Sequence, residues 1–252
     1  MIRGLYTSTA GMLAAQSQSE IIGDNIANLS TPGFKQEQGS NHSFPTLLLE
    51  RINDGSKIPE QTPIGSIGTG VVVDRTARLT VQGALNTTGI STDLALVSDQ
   101  NQPIFFAVQT DNGVMYTRNG RFQLSAEGQL QTMDGHAVLG ENGPINGLDV
   151  NFTVSSDGMV LNGQGEEVDR LVVRQLPEDN LTRVGNSLYT STQATQAQNF
   201  QVKQGAFEAS NVDLTTQITK MMTVMRAYEA NQRVIQTQDA TLDKAVNEVG
   251  KV

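Results

Sequence analysis

The stretch from Leu214 to Val249 reads LTTQITKMMTVMRAYEANQRVIQTQDATLDKAVNEV, and its apolar residues recur in alternating steps of four and three. This spacing predicts an α-helix with one apolar face. No Gly or Pro interrupts the stretch before Gly250, and residues 210–213 (SNVD) just ahead of it have the pattern of a capping box. At about 1.5 Å per residue the helix would be about 55 Å long, which is longer than a compact domain needs.

The apolar face of this helix is too long to be buried against a small β domain. We therefore expect it to pack on another helix, supplied by the N-terminal segment or by a neighbouring subunit. Met221, Met222 and Met225 could form an adaptable binding surface or fill a core, since thioethers fit irregular gaps. The positions assigned to this assembly interface are Leu214, Ile218, Met221, Met225, Tyr228, Ile235, Leu242 and Val246.

The N-terminal segment has a weaker seven-residue period. It stops at Ser30-Thr31-Pro32-Gly33, because Pro disfavours α geometry in the residue before it and Gly permits a turn. The pattern predicts a helix from about Ile2 to Leu29. Its positions in the assembly interface are Leu5, Met12, Ile22, Ile26 and Leu29.

Between the two helices the apolar period changes to two. Asn119-Gly120 separates two alternating runs and predicts a hairpin with positive φ at both central residues. Similar turn pairs occur at Asn112-Gly113, Glu127-Gly128, Asp134-Gly135, Asp157-Gly158 and Asn162-Gly163. These turns and the short apolar runs between them favour antiparallel β structure.

The patterns together predict an α+β fold in five segments. These are an N-terminal assembly helix (1–35), an extended or linker segment (36–70), a central, mainly antiparallel β domain (71–190), a linker (191–210) and a C-terminal assembly helix (211–252). We expect the long N- and C-terminal helices to pair as a coiled-coil-like layer.

Composition excludes several classes of function. The net charge of −9 provides no basic patch for nucleic acid or an anionic membrane surface. The absence of Cys and the presence of only two His exclude disulfides, thiolate catalysis and a Cys or multi-His metal site. The first residues lack the apolar stretch of a cleaved secretory signal, and no run of about 18 apolar residues predicts membrane insertion.

No pattern in the sequence predicts catalysis, so we expect no catalytic, cofactor-binding or metal-binding residue and no cofactor. The glycine-rich residues 65–70 match neither phosphate-binding motif, because a β run follows them and no Lys does. Asp134-Gly135-His136 is typical of a tight turn. Glu166-Glu167 could serve glycoside hydrolysis only across a cleft, and adjacent acids are usually solvated.

Two motifs at opposite ends of the chain resemble those of bacterial flagellar rod and hook proteins. NIANLSTPGFK (25–35) resembles their N-terminal motif, while FEASNVDL (207–214) and RAYEAN (226–231) resemble their C-terminal motif. TDLAL (92–96) and YTRNGRF (116–122) are similar to the rod branch. The residues assigned to the family motif are Asn25, Asn28, Ser30, Thr31, Gly33, Phe34, Ser210, Asn211, Arg226, Tyr228 and Asn231.

The resemblance implies a structural protein of the flagellar basal body, not an enzyme. Such a subunit would leave the cell unfolded through the flagellar type III export apparatus, without a cleaved signal peptide. It would polymerise with itself and other rod and hook subunits into the drive shaft that crosses the periplasm and cell wall. Residues 98–106 (SDQNQPIFF) replace the family's usual Gly-Asp-Gly-Phe-Phe-like turn, which leaves distal and proximal rod positions open.

Two alternatives remain at this point. The chain could be a hook or hook-associated protein of the same family. It could instead belong to a different class, a secreted β-rich protein that binds or cleaves cell-wall glycan, which would need paired carboxylates in a cleft.

Overall fold

The computed structural model describes residues 2–45, 47–51, 62–68, 70–78, 80–98, 103–177, 180–185 and 187–249. Helix α1 spans Ile2–Ala27, and helix α2 spans Leu214–Lys244 and continues as a π-helix over Ala245–Val249. The helix that periodicity predicts at each end is therefore confirmed. The α+β class is confirmed as well, because the part between the helices is built of antiparallel strands.

Short strands occupy the described part of the chain between the helices. In chain order they are β1 (Glu37–Ser43), β2 (Leu47–Arg51), β3 (Thr62–Ile67), β4 (Val71–Arg78), β5 (Leu85–Thr87), β6 (Leu94–Ser98), β7 (Ile104–Thr110), β8 (Gly113–Thr117), β9 (Phe122–Leu124), β10 (Leu130–Thr132), β11 (Ala137–Gly140), β12 (Gly143–Pro144), β13 (Thr153–Val154), β14 (Met159–Leu161), β15 (Glu167–Arg170), β16 (Val173–Gln175), β17 (Thr182–Arg183), β18 (Leu188–Thr190), β19 (Thr195–Gln196), β20 (Phe200–Gln204) and β21 (Ala206–Glu208).

The chain divides into two compact units. The helical unit contains Met1–Ile26, Glu37–Ala77 and Leu214–Val252, and the β unit contains Ala27–Gln36 and Arg78–Asp213. Strands β20 and β21 lie in the segment predicted as a linker (191–210), and they pair with β6 and β5 inside the β unit.

In the helical unit, α1 and α2 are in contact and run in opposite directions. Ser19 Oγ donates to Met221 Sδ at 3.2 Å. Nearer the N-terminus of α1, a Cβ added to Gly11 would lie 2.8 Å from the Asn231 side chain, and one added to Gly4 would overlap the side chain of Gln238. Residues nearer the N-terminus of α1 therefore contact residues nearer the C-terminus of α2, so the two helices are antiparallel.

The core of the β unit forms around β7. This strand pairs with β8, β11 and β16. Its residues Ile104, Phe106 and Val108 are fully buried, and they belong to a cluster that includes Leu94 and Leu130. A continuous apolar strand at the centre of a sheet buries both faces, which explains why Ile104–Val108 lacks polar alternation.

The hairpin predicted at Asn119-Gly120 is wrong. Strand β8 before it pairs with β7 and β18, strand β9 after it pairs with β10, and neither Asn119 nor Gly120 has positive φ. Instead, the Leu94 amide donates to the Gly120 carbonyl at 2.8 Å, and a Cβ on Gly120 would overlap the Leu94 carbonyl oxygen. Glycine is required here by the close approach of another backbone, which a local pattern cannot distinguish from a turn.

Other predicted turns are confirmed. Gly113 (φ 107°), Gly128 (φ 76°), Gly135 (φ 87°) and Gly158 (φ 87°) each lie in or beside a turn between consecutive strands. The capping motif differs from its prediction: α2 begins at Leu214, and the Ser210 hydroxyl accepts from the Val212 amide at 3.3 Å, ahead of the helix.

Parts of two predicted segments lie outside the described residues. In the linker predicted at 36–70, residues 46, 52–61 and 69 are not described, whereas residues 62–67 form β3. In the unusual turn near 97–104, residues 99–102 are not described.

Candidate functional site

A buried carboxylate, Glu208, lies at the centre of an ion network in the β unit. Its Oε1 accepts from Lys35 Nζ at 2.6 Å and from the Gly83 amide at 2.7 Å, while its Oε2 accepts from Arg118 Nε at 2.5 Å. The side chains of Lys35, Arg118 and Glu208 are only 5%, 5% and 1% exposed. The three charged groups are therefore almost completely removed from water.

Both cations also donate to backbone carbonyl groups. Lys35 Nζ donates to Val81 O at 2.9 Å, and the Arg118 guanidinium donates to Leu96 O at 2.8 Å and to Ile104 O. Buried charges are tolerated when they are paired and hydrogen-bonded in this way. The network consequently binds several separate backbone segments to one carboxylate.

The pKa values follow from burial and from the neighbouring charges. Burial alone would raise the pKa of Glu208, but the charges of Arg118 and Lys35 outweigh it and hold that pKa below its ordinary value. For Lys35, burial lowers the pKa below its ordinary value, although Glu208 opposes the change. Glu208 is therefore charged at neutral pH, and its charge is the reason that two cations can be buried beside it.

The network joins the segment that follows α1 to the segment that precedes α2. The Gly33 amide donates to the Glu208 carbonyl at 2.8 Å, and the Gln36 amide donates to Asn211 Oδ1 at 2.7 Å. Gly33 has φ 69°, and a Cβ there would overlap the backbone carbonyl of Arg118. Two motifs about 175 residues apart in sequence thus lie side by side.

The other family-motif residues have varied environments. Asn25, on α1, donates to Glu37 O and accepts from Glu37 N at 2.8 and 2.9 Å. Thr31 donates to the Asn28 side chain at 3.3 Å, while Phe34 is 1% exposed with the Arg183 guanidinium 5.1 Å from its ring centroid. On the surface of the chain lie Ser30, Arg226 and Tyr228.

Sequence patterns missed the three charged residues of the network. Lys35, Arg118 and Glu208 each lie inside a quoted motif, but nothing assigned them a role. The available signal was one charged residue inside each of three motifs from distant parts of the chain. Pairing them requires knowledge of which segments meet, which periodicity does not provide.

The predicted assembly positions divide by exposure. Ile22 is buried, and Leu5, Met12, Ile26, Leu29, Met221, Ile235 and Leu242 are half-buried. The exposed positions are Leu214, Ile218, Met225, Tyr228 and Val246. Met222 joins three of these in an exposed stripe on the first turns of α2, formed by Leu214 (41% exposed), Ile218 (47%), Met222 (52%) and Met225 (56%).

The residues weighed for chemistry lie in turns and strands. In the glycine-rich segment, Gly65 to Ile67 lie in β3, and the next element in the chain is strand β4, not a helix. The Gly135 amide donates to the Thr132 carbonyl at 2.9 Å, as expected of a turn at Asp134-Gly135-His136. Within the described ranges, no three His, Cys, Asp or Glu residues could hold a metal ion together, and no helix is long and apolar enough to span a membrane.

Three family models match the chain. "Flagella basal body rod protein" matches residues 5–35, "Flagellar hook protein FlgE/F/G D1 domain" matches residues 104–162, and "Flagellar basal body rod FlgEFG protein C-terminal" matches residues 203–248. Their order along the chain is the order in which the sequence motifs occur.

Full-length relatives agree with these matches. The flagellar hook-basal body complex protein FlhO of Bacillus subtilis (strain 168) is 40% identical over 275 residues, which cover 100% of both chains. The chain belongs to the flagellar basal-body rod and hook protein family. The flagellar basal-body rod protein FlgG of the same strain is 32% identical, covering 98% of this chain and 99% of its own. The flagellar basal-body rod protein FlgF of Caulobacter vibrioides is 33% identical, covering 100% of both chains.

In this rod and hook family protein, each family match contains one member of the ion network. Lys35 lies in the N-terminal match, Arg118 in the central match and Glu208 in the C-terminal match. The three matched segments therefore meet at one buried carboxylate. The chain is a structural component of the flagellum, as its family is.

Proposed function

We propose that this chain is a subunit of the flagellar basal-body rod that assembles with itself and with other rod and hook subunits through its terminal helices. The assembled rod would be the drive shaft that transmits torque from the motor to the hook. Relatives named as rod proteins, similar over nearly their full length, support this role.

The observation that best supports this proposal is the exposed stripe of α2. Large apolar side chains at Leu214, Ile218, Met222 and Met225 are exposed on one helix of a 252-residue chain. Exposed contiguous apolar surface is characteristic of an interaction site. In a subunit of a polymer, such a stripe is buried when a neighbouring subunit covers it.

We also propose that α1 and α2 pair as a coiled-coil-like layer. The opposed contacts of Ser19 with Met221 and of Gly11 with Asn231 support an antiparallel pairing. Gly4 and Gly11 are seven residues apart on one face of α1, so the missing side chains allow α2 to approach. In the assembled rod this layer would form the inner wall.

Export and location follow from the same role. The subunit would pass unfolded through the flagellar type III export apparatus and reach the rod in the periplasm and cell wall without cleavage. Two terminal helices with limited apolar burial of their own suit such a route, because isolated helices are marginal without packing partners.

A place in the hook, or at the junction of rod and hook, is the second candidate. The 40% identical relative is named a hook-basal body complex protein, and the central family match carries the name of the hook protein. For the glycan-binding or glycan-cleaving alternative, the Glu166-Glu167 pair offers no support, because Glu166 lies on the surface, where its carboxylate accepts from the Asn162 side chain at 3.1 Å.

The test compares two aspartates on α2. Met225→Asp places a charge in the exposed stripe, while Thr223→Asp places the same charge at an exposed position on another side of the helix. An unpaired charge in a buried interface costs several kcal/mol. In cells that depend on this chain, we expect Met225→Asp to abolish swimming and rod assembly and Thr223→Asp to preserve both.

Folding of both variants is checked by circular dichroism, so that lost motility is not attributed to an unfolded β unit. Equal swimming by the two variants would contradict assembly through the stripe. Purified chain that releases products from peptidoglycan would favour the glycan-cleaving alternative.

A further inference from the structure

A groove of about 570 Å³ runs along α1 in the helical unit. Its α1 side includes Arg3, Tyr6, Ala10 and Leu13, and Phe44 lines its other side. Tyr6 is 67% exposed, Leu13 63% and Phe44 40%. The groove is therefore mainly apolar and open to solvent.

The charged end of the groove is at Arg3. Arg3, Tyr6, Ala10 and Leu13 follow steps of three and four, so they form one line along α1 that starts with a cation and continues with apolar groups. Arg3 is exposed and forms no ion pair with another described residue. An occupant that matched this line would have apolar groups followed by an acid.

Helix α2 has such a line. Ile218, Met222, Met225 and Glu229 follow steps of four, three and four, and all four side chains are exposed. Glu229, like Arg3, has no ion-pair partner among the described residues. From Ile218 to Glu229 the line is about 16 Å long, and from Arg3 to Leu13 it is about 15 Å long.

We propose that the α1 groove of one copy of this chain binds the Ile218–Glu229 line of a second copy. The two helices run antiparallel, with Arg3 beside Glu229 and Ala10 beside Met222. This inference rests on the proposed function and identifies the partner of the exposed stripe. Apolar anchors at such steps, laid into a groove, are a common mode of helix recognition.

One copy cannot form this pairing between its own α1 groove and its own Ile218–Glu229 line. Gly11 on α1 faces the chain's own α2, whereas Arg3 and Leu13 lie on another face of α1. The groove and the line are two different surfaces, so each copy uses its groove for one neighbour and its line for another. Such head-to-tail contacts produce open helical polymers when the rotation does not close.

Charge reversal tests the pairing of Arg3 with Glu229. Arg3→Glu or Glu229→Arg alone places like charges together and should reduce polymer formation by about tenfold. The combined variant Arg3→Glu/Glu229→Arg restores opposite charges and should recover it to within about twofold of the natural chain. Lys244→Glu, at the exposed C-terminal end of the same helix and about 22 Å from Glu229, is the control and should change polymer formation little. No recovery in the combined variant would overturn the pairing.

Cross-linking locates the contact directly, since the natural chain has no Cys. Ala10→Cys and Met222→Cys are made in separate full-length chains, mixed and oxidised. We expect a disulfide-linked dimer that contains one of each chain, and none when Thr223→Cys replaces Met222→Cys. A dimer formed by Ala10→Cys alone would indicate symmetric α1 contacts and would overturn the proposal.

Three further outcomes separate this inference from the proposed function. If polymers form in full yield but the Ala10–Met222 disulfide never appears, the pairing is wrong while assembly stands. If a chain carrying both cysteines forms the disulfide within a monomer, its own α2 covers the groove and the pairing between copies is wrong. If no polymer forms under any condition, the proposed function itself fails.

Discussion

Removing the charge at the centre of the ion network should destabilise the β unit strongly. Glu208→Gln keeps the shape of the side chain but leaves Lys35 and Arg118, which are both only 5% exposed, without an anion. Breaking a buried ion pair by removing one partner costs about 3–5 kcal/mol. The pKa of Lys35 already lies below its ordinary value, so this amine can lose its proton and limit the loss to that range.

Lys35→Met should cost less, about 1–3 kcal/mol. Val81 O loses the lysine but still accepts from Asn211 Nδ2 at 3.0 Å, and Glu208 still binds Arg118 and the Gly83 amide. In the Lys35→Met background, Glu208→Gln leaves only one buried cation, Arg118, without its anion. The two substitutions should therefore couple, with the double variant more stable than the sum predicts by about 1–3 kcal/mol.

The assay is urea unfolding of the full chain, followed by circular dichroism, with amide exchange at Gly33 and Gly83 as the local measure. Both amides donate to Glu208 and should exchange faster in Glu208→Gln. Asp157→Asn is the control, because Asp157 pairs with Arg170 at 2.8 Å on the surface and its loss should change the unfolding midpoint little. A change in Glu208→Gln as small as in this control, or additive effects with Lys35→Met, would refute the reasoning.

Three further predictions concern stability. Gly120→Val should destabilise the β unit by about 1–3 kcal/mol, because its Cβ would overlap the Leu94 carbonyl; an unchanged melting temperature would contradict this close approach. The pKa of Glu208 lies below its ordinary value of 4.5, so its contribution to stability should be complete above that pH and lost as pH falls further; acid titration of unfolding should show a smaller loss in Glu208→Gln. Gly11→Leu should loosen the pairing of α1 with α2, measured as faster amide exchange in both helices, whereas Gly23→Leu should not, because a Cβ at Gly23 meets no atom within 4 Å.

The sequence by itself determined the helices, the class of fold and the family. Each rests on short-range information: the steps of four and three in α2 state which residues share a face, and turn glycines such as Gly135 need a positive φ that few other residues adopt. The terminal motifs are contiguous strings, so they could be compared with a family without knowing where they lie in space.

Only the tertiary structure decided which of these segments meet. Gly120 has the local signature of a hairpin, yet its role depends on Leu94 passing against its backbone, a contact between residues 26 positions apart that no period encodes. In the same way, Lys35 and Glu208 are 173 residues apart in the chain but 2.6 Å apart in space. A charged side chain is buried only where all of its partners come together in the fold. The role of Lys35 and Glu208 therefore depends on long-range packing and not on the order of neighbouring residues.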